Sequence, residues 1–333
     1  MKAAVYRRHG SADVVTVDEL PQPVPGDDEV LVRIHAATVG VVDSLARQGA
    51  PRYARVAFGL RRPKFAVLGS DFAGQVEAAG PAVTRFAVGD KVFGTTAPKF
   101  GAHAEYVCMP QNAAVETIPK GLSYAQAASV ADATALCYLR DKARLGPGQA
   151  IAINGASGAV GSAAVQLARH FGATVTGVCG AAHAALVAEL GADEVIDYAT
   201  CDFTRGGRKY DVIFDAAGKS SFARCRAALN PAGIYLTTAV SPAILAQAAW
   251  TSRFKRAKKA MIAFTGLRAP DEKRADLRLI TELCDASELA PVIESCYPLR
   301  MIADAYRRVD AGHKKGNVIV TMTGSDALDG AAV

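Results

Sequence analysis

Residues 154–161 read NGASGAVG, between an apolar run, QAIAI (149–153), and a helical one, SAAVQLARHFG (162–172). A strand that enters a glycine turn and leaves as a helix is the setting in which such a turn cradles a dinucleotide. The first N–H groups of the helix have no partners within it, and its N-terminus is the positive end of the helix dipole, so a pyrophosphate can sit there. Gly158 lets the backbone approach the phosphates, and Gly161 lets the helix pack close to the sheet. The first glycine of the usual pattern is Ala156 here, with Gly155 just ahead, so the string is A-x-G-x-x-G. Alone it would also fit a bare turn; the segments that follow decide between the two.

Those segments alternate. ATVTGVCG (173–180) reads as a strand and AAHAALVAELG (181–191) as a helix. EVIDY (194–198) and YDVIFDAAG (210–218) read as strands, SFARCRAALNPAG (221–233) as a helix, and IYLTTA (234–239) and KAMIAFTG (259–266) as strands. Strands alternating with helices of this length require crossover connections and a parallel sheet covered on both faces. The end of the second strand then bears on the cofactor. An acid there would bind the adenosine ribose hydroxyls and favour NAD, whereas a carboxylate would repel a 2′-phosphate. The stretch GVCGAAH (177–183) has no acid, which permits NADP. His183 and Tyr198 are the nearby polar candidates.

Upstream, from 1 to 122, short strand-like runs are broken by glycine and proline: EVLVRIHAATVG (29–40), FAGQVEAAG (72–80), GDKVFGTT (89–96) and AEYVCMP (104–110), with turns at PVPGDD (23–28) and FAVGD (86–90). This patterning predicts a barrel-like or sandwich-like β domain. From Ser123, an expected N-cap, the segment 123–148 is alanine-rich and helix-permissive, ending at Gly-Pro-Gly. From 267 the style is mixed again, with helices expected at 271–287 and 301–312, a strand at 317–322 and a frayed tail at 324–333.

Composition sets the outer bounds. The 333 residues are half hydrophobic and carry a formal charge of +6. No apolar run is long enough to span a bilayer, and MKAAVYRRHG lacks the apolar stretch of a signal peptide, so a cytoplasmic protein without a membrane partner is expected. The basic patch RFKRAKK (253–259) reads as a solvated helix face; nucleic-acid binding would want a broader surface or stacking aromatics. The seven cysteines are odd in number and form no C-x-x-C, which points to reduced thiols and away from a structural zinc site.

The chain resembles the medium-chain dehydrogenase/reductase superfamily, and within it the zinc-independent NADPH quinone oxidoreductase branch, including the bacterial reductases similar to the reticulon-interacting mitochondrial homologue. The resemblance spans nearly the whole chain and is carried by FGLRRPKFAVLGSDFAGQVEAAG (58–80), GDKVFGTT (89–96), GAHAEYV (101–107), GASGAVGSAAVQLAR (155–169), LGADEVIDY (190–198), YDVIFDAAGKSSF (210–222) and DAGHKKGNVIV (310–320) in order and spacing. It implies an α/β protein with a GroES-like β-barrel catalytic domain (1–122 and 267–333) and a Rossmann doubly wound parallel-sheet domain (123–266) that binds NADP(H). The zinc-dependent branch places a cysteine and a histidine where this chain has Val42 and Ser70, so no metal is expected. The implied chemistry is hydride transfer to a quinone or an α,β-unsaturated carbonyl.

By resemblance, Ser157, Gly158, Ala159, Val160 and Gly161 would hold the pyrophosphate, and Tyr198 would lie beside the adenosine phosphate. Gly180 and His183 stand where relatives carry a serine and a basic or amide residue for the 2′-phosphate. Thr134 falls on the nicotinamide side, Gly218, Thr238, Ala239 and Val240 line the groove, and Asn317 closes over the cofactor. Many relatives have an asparagine near the substrate where this chain has Gly40; Asp43 and Tyr53 remain as candidate catalytic groups. The family also implies a homodimer paired near 259–264. Two rivals stand beside this reading: a non-catalytic NADPH-binding scaffold of the crystallin type, and a zinc-type alcohol dehydrogenase.

Overall fold

The computed structural model describes residues 1–254 and 256–322, which fall into two compact units. The expected tail at 324–333 and Lys255 of the basic patch lie outside the described residues. One unit comprises residues 133–265 and 286–290; the other comprises 1–132, 266–285 and the C-terminal segment from Pro291.

The first of these units is built on a six-stranded sheet in which every pairing is parallel. Its spatial order is Glu194–Asp197, Thr174–Cys179, Ala150–Asn154, Tyr210–Asp215, Leu229–Thr237 and Lys259–Met261. Numbered along the chain, that order is the third strand, then the second and first, then the fourth, fifth and sixth: the arrangement of the Rossmann fold. Ile151–Asn154 and Val212–Asp215 are buried without a break, as a sheet covered on both faces demands. Helix Ala159–His170 follows the glycine turn as expected.

Other elements depart from the sequence reading. The helix expected over 221–233 is only Phe222–Cys225 plus a single 3-10 turn, Arg226–Ala228. Ser221 starts it, its Oγ accepting from the Arg224 N–H at 3.3 Å, but Pro231 and Gly233 cannot sustain it, and the strand begins already at Leu229 opposite Tyr210. Helix Pro242–Thr251 carries apolar residues all round, so no periodic stripe announced it. The basic patch at 253–259 is not a helix face: exposed Arg253 and Arg256 lie in turns, and Lys259 opens a strand.

The 123–148 segment is not one helix. Ser123 and Gln126 form a reciprocal cap, and helix Tyr124–Val130 packs on strands Glu29–Thr38 and Asp71–Ala79 of the β-rich unit. The chain breaks at 131–133 and resumes as a short helix, Thr134–Leu136, and a π-helical stretch, Cys137–Ala143. The dividing line between the units therefore falls after Asp132, ten residues beyond the boundary expected at 122, because the buried face of the first helix covers the β-rich sheet.

The β-rich unit centres on seven strands. Ile293–Pro298, Asn317–Thr321, Glu29–Thr38, Asp71–Ala79, Lys91–Thr95 and Val115–Thr117 lie in that order, with Tyr106–Pro110 also pairing Glu29–Thr38. All pairs are antiparallel except the first, and Val30, Val32, Ile34, Phe72, Val76 and Val92 fill the interior. Helix Val41–Gln48 is fastened by Arg47, which is 0% exposed. Its guanidinium donates to the Gly10 carbonyl and to Asp310, and it stacks 5.0 Å over the Tyr306 ring. One side chain thus ties together the N-terminal segment, this helix and helix Ile302–Asp310. Arg47→Met keeps the stem but removes the donor to the Gly10 carbonyl and the ion pair with Asp310, which is 27% exposed and still bonded by Gln48; it is expected to lower unfolding free energy by about 2 kcal/mol, read from urea denaturation.

Candidate cofactor site and the polar residues of the β-rich unit

The glycine turn has tight steric requirements. Gly155 adopts φ +85°, and both its N–H and that of Ala156 donate to the Val178 carbonyl of the neighbouring strand, at 2.9 and 3.0 Å. Ala156 is fully buried and points towards Gly177, where an added Cβ would stand 3.3 Å from the Ala156 methyl. The alanine in place of the usual first glycine therefore fills space between turn and sheet. Gly161 has no such room: a Cβ there would lie 1.9 Å from the Gly155 carbonyl oxygen. Gly158, the residue preceding helix Ala159–His170, differs, because its added Cβ would find its nearest atom at 3.5 Å. Gly161 lets the helix start against the turn, while Gly158 leaves an open face at the helix N-terminus, where an anion is favoured.

Two further loops meet this turn at the C-terminal ends of the strands, where open parallel sheets bind their ligands. Gly218 has φ +63°, and a Cβ on it would come within 2.7 Å of the Ala239 methyl. Thr238 donates through Oγ1 to the Ala216 carbonyl at 3.2 Å, and the Ala217 N–H donates to the Asn154 carbonyl at 3.1 Å. Gly218, Thr238 and Ala239 are thus brought together beside residues 155–161, and Val240 follows them, partly exposed. Thr134 lies in the same unit, its hydroxyl 3.2 Å from that of Thr265. At the end of the second strand, a Cβ on Gly180 would be 3.1 Å from the Tyr198 hydroxyl, so the half-exposed tyrosine stands over that glycine. His183 immediately precedes helix Ala184–Glu189, makes no side-chain capping bond to it, and is half-buried.

Sequence reading passed over Asp215, Asn154 and Tyr138. The Tyr138 hydroxyl donates to the Thr237 carbonyl at 2.7 Å and accepts from the Ala263 N–H at 3.0 Å, which supports the third loop from beneath. The only signal for Asp215 was an acid closing a buried strand just before AAGKSS.

In the β-rich unit, the catalytic candidate Asp43 is buried. It is 2% exposed, and both carboxylate oxygens are taken by backbone, Oδ2 by the Gly40 N–H at 2.7 Å and Oδ1 by the Gly69 N–H at 3.0 Å. Burial pushes its pKa up, while His103 and these two N–H groups pull the other way. It caps helix Val41–Gln48 and pins the 69–70 turn. Tyr53 lies on the turn Arg52–Ala54 and is 47% exposed. The Asn317 amide donates to the Ser129 and Val292 carbonyls, at 3.1 and 3.3 Å, and so fastens helix Tyr124–Val130 to its own strand.

Val42 and Ser70, at the positions compared with zinc ligands, are an exposed side chain and a residue whose carbonyl accepts from Thr96 at 2.7 Å. Among the described residues, no group of three or more His, Cys, Asp or Glu is arranged to hold a metal ion. Asp71, which the sequence reading passed over, opens strand Asp71–Ala79. Burial first, then Asp132 and Asp43, push its carboxyl well above the usual range, and Thr38 donates to it at 3.2 Å. His103 is buried, and desolvation lowers its pKa; its Nε2 donates to the Thr38 carbonyl at 2.8 Å, and in the neutral ring Nδ1 accepts from the Tyr306 hydroxyl at 3.2 Å.

Comparison with known proteins agrees with this architecture. Residues 26–120 match the alcohol dehydrogenase GroES-like domain, and residues 190–320 match a family described as zinc-binding dehydrogenase. The chain is 33% identical to a chloroplastic quinone-oxidoreductase homolog of Spinacia oleracea, covering 96% of this chain and 98% of that one. It is 28% identical to the mitochondrial NAD(P)H oxidoreductase RTN4IP1 of Danio rerio, over 97% of this chain and 91% of the relative. The solved quinone oxidoreductase from Coxiella burnetii superposes with a TM-score of 0.84 at 25% identity, covering 97% of this chain and 99% of that one. The chain belongs to the quinone oxidoreductase branch of the medium-chain dehydrogenase/reductase family. Its barrel-type unit and its parallel-sheet unit are the two parts of that fold.

The contrast between the two glycines can be measured. Gly161→Ala is expected to force helix and turn apart and to lower the thermal midpoint by several degrees, whereas Gly158→Ala leaves it within about one degree. Equal midpoints for the two variants in a thermal scan would contradict the steric account.

Proposed function

We propose that this protein transfers a hydride from NADPH to a quinone or an α,β-unsaturated carbonyl without a metal ion. The observation that carries the reading is the open face at Gly158, at a helix N-terminus on the C-terminal edge of a Rossmann sheet, with no acid at 177–183 where a 2′-phosphate would lie. In this reading Ser157, Gly158, Ala159, Val160 and Gly161 receive the pyrophosphate. Gly180, His183 and Tyr198 face the phosphorylated ribose, with the bare Gly180 leaving room beside the Tyr198 hydroxyl. Thr134, Gly218, Thr238, Ala239 and Val240 flank the nicotinamide half. NADPH, when bound, supplies the hydride; the protein's part is to orient it and keep water away. A conjugated acceptor needs no Lewis acid, because its own carbonyl takes the electrons, which accords with Val42 and Ser70 at the compared positions. The relatives' printed names support the acceptor class and the nucleotide.

Activity is tested by following NADPH oxidation with a panel of quinones and enals, alongside NADPH and NADH titrations. NADPH should bind more tightly, and at least one acceptor should support turnover. Nucleotide binding without turnover on any acceptor would favour the scaffold reading, and stoichiometric bound zinc would favour the alcohol dehydrogenase. Gly158→Ala should raise KM for NADPH at least about tenfold at an unchanged thermal midpoint, because its methyl enters the space assigned to phosphate.

The assembly proposed is a homodimer. Among the described residues, strand Lys259–Met261 has a sheet neighbour on one side only, and Leu245, Trp250 and Phe254 are exposed in the same unit, Trp250 at 61%. An open strand edge beside apolar side chains is a surface that self-pairing covers. Trp250→Asp is expected to shift the sedimentation coefficient from dimer to monomer. Among the described residues the seven cysteines form no disulfide, which suits a reducing compartment, for which we propose the cytoplasm. Among the described residues, no helix is long and apolar enough to cross a membrane.

A further inference from the structure

We infer that Asp215 is a positioning residue for the cofactor, a buried anchor that holds the three nucleotide-facing loops in register. The inference rests on the cofactor reading above and adds a residue that reading does not use.

Asp215 ends the central strand Tyr210–Asp215 and is 0% exposed. Its carboxylate accepts four hydrogen bonds. Oδ1 accepts from Asn154 Nδ2 at 2.8 Å and from the Lys219 N–H at 3.2 Å; Oδ2 accepts from the Ser220 N–H at 2.8 Å and from the Tyr235 hydroxyl at 3.0 Å. Three of these donors shape the loops at the strand ends. Asn154 is the residue immediately before the Gly155–Gly161 turn. The Lys219 and Ser220 N–H groups fold the chain back after Gly218. That turn in turn supports the 238–240 loop, through Thr238 Oγ1 on the Ala216 carbonyl and the close approach of Gly218 to Ala239. The first and second loops also touch directly: the Ala217 N–H donates to the Asn154 carbonyl, and a Cβ on Gly155 would stand 2.8 Å from the Ala217 methyl. Displacement of one loop is therefore passed to the others.

The chemistry calls for a carboxylate. All four partners donate, so the residue must present acceptors only, two on each oxygen. An asparagine would aim an NH2 group at a backbone N–H on one side or the other and leave that N–H buried without a partner. The fourth donor differs in kind. Tyr235 lies in the core against Phe222, and burial together with the Asp215 carboxylate pushes its phenol far up, so it remains a donor throughout the working pH range. Its hydroxyl donates to Asp215 in the core and its side chain also meets Thr237 at the end of its own strand, so it supports the anchor from within the sheet and serves as the stability control.

The test compares wild type with Asp215→Asn, Asn154→Ala and Tyr235→Phe, reading NADPH affinity by fluorescence titration, thermal midpoint, and KM and kcat separately. Asp215→Asn and Asn154→Ala are expected to raise the NADPH Kd and KM about tenfold or more, with a smaller change in kcat. Tyr235→Phe should lower the thermal midpoint but keep the Kd within about twofold of wild type. The inference is overturned if Asp215→Asn folds and binds NADPH like wild type. It is equally overturned if Tyr235→Phe weakens NADPH as much as Asp215→Asn, since the effect would then follow stability alone. Should Asp215→Asn not fold, Asn154→Ala decides by the same criterion. Failure of wild type itself to bind NADPH would sink the cofactor reading and this inference with it.

Discussion

The closeness of the Gly161 backbone to the Gly155 carbonyl governs the Rossmann unit. An added Cβ would lie 1.9 Å from that oxygen, far inside contact distance, so helix Ala159–His170 can begin where it does only if residue 161 has no side chain. That start places the helix N-terminus at the edge of the sheet and leaves Gly158 facing open space. It also brings the turn close enough to the next strand for Gly155 and Ala156 to share the Val178 carbonyl. The anion-binding property of the turn follows from this steric constraint together with the unpaired N–H groups of a helix start.

The two units solve different problems with buried polar groups. In the β-rich unit, Arg47 and Asp43 fasten helix Val41–Gln48, one through Gly10 and Asp310 and the other through Gly40 and Gly69. Each is costly to bury and is retained with hydrogen-bond partners close by. In the parallel-sheet unit, Asp215 joins strand ends, where backbone groups leaving the ladder need partners. Asp43 was a catalytic candidate in the sequence because the family resemblance places it on the substrate side, three residues after Gly40. Its role as a helix cap depends on Gly69, twenty-six residues away, which no local pattern reveals.

Legibility followed periodicity. The strands at 150–154, 174–179 and 210–215 and the helices at 159–170, 270–285 and 302–310 carry strong apolar patterning, and their positions are those read from the sequence. Segment 221–233 misled because Phe222, Cys225 and Leu229 mimic helical spacing; Pro231 and pairing with Tyr210 turn it into a strand. Helix Pro242–Thr251 was invisible because it is apolar on every side. Ser123 marked a true helix start, yet the unit to which that helix belongs was decided by what its buried face covers.

The sequence by itself determined the class of fold, the glycine turn and the absence of an acid at 177–183, because each is expressed in local residue types and their spacing. Tertiary structure alone decided that Asp43 caps a helix and that Asn317 binds carbonyls. It likewise decided that Tyr198 stands over Gly180 and that Asp215 gathers three loops. The physical reason is common to all four: a side chain's role is set by the groups that distant segments bring to it, and those neighbours appear only once the strands are in register.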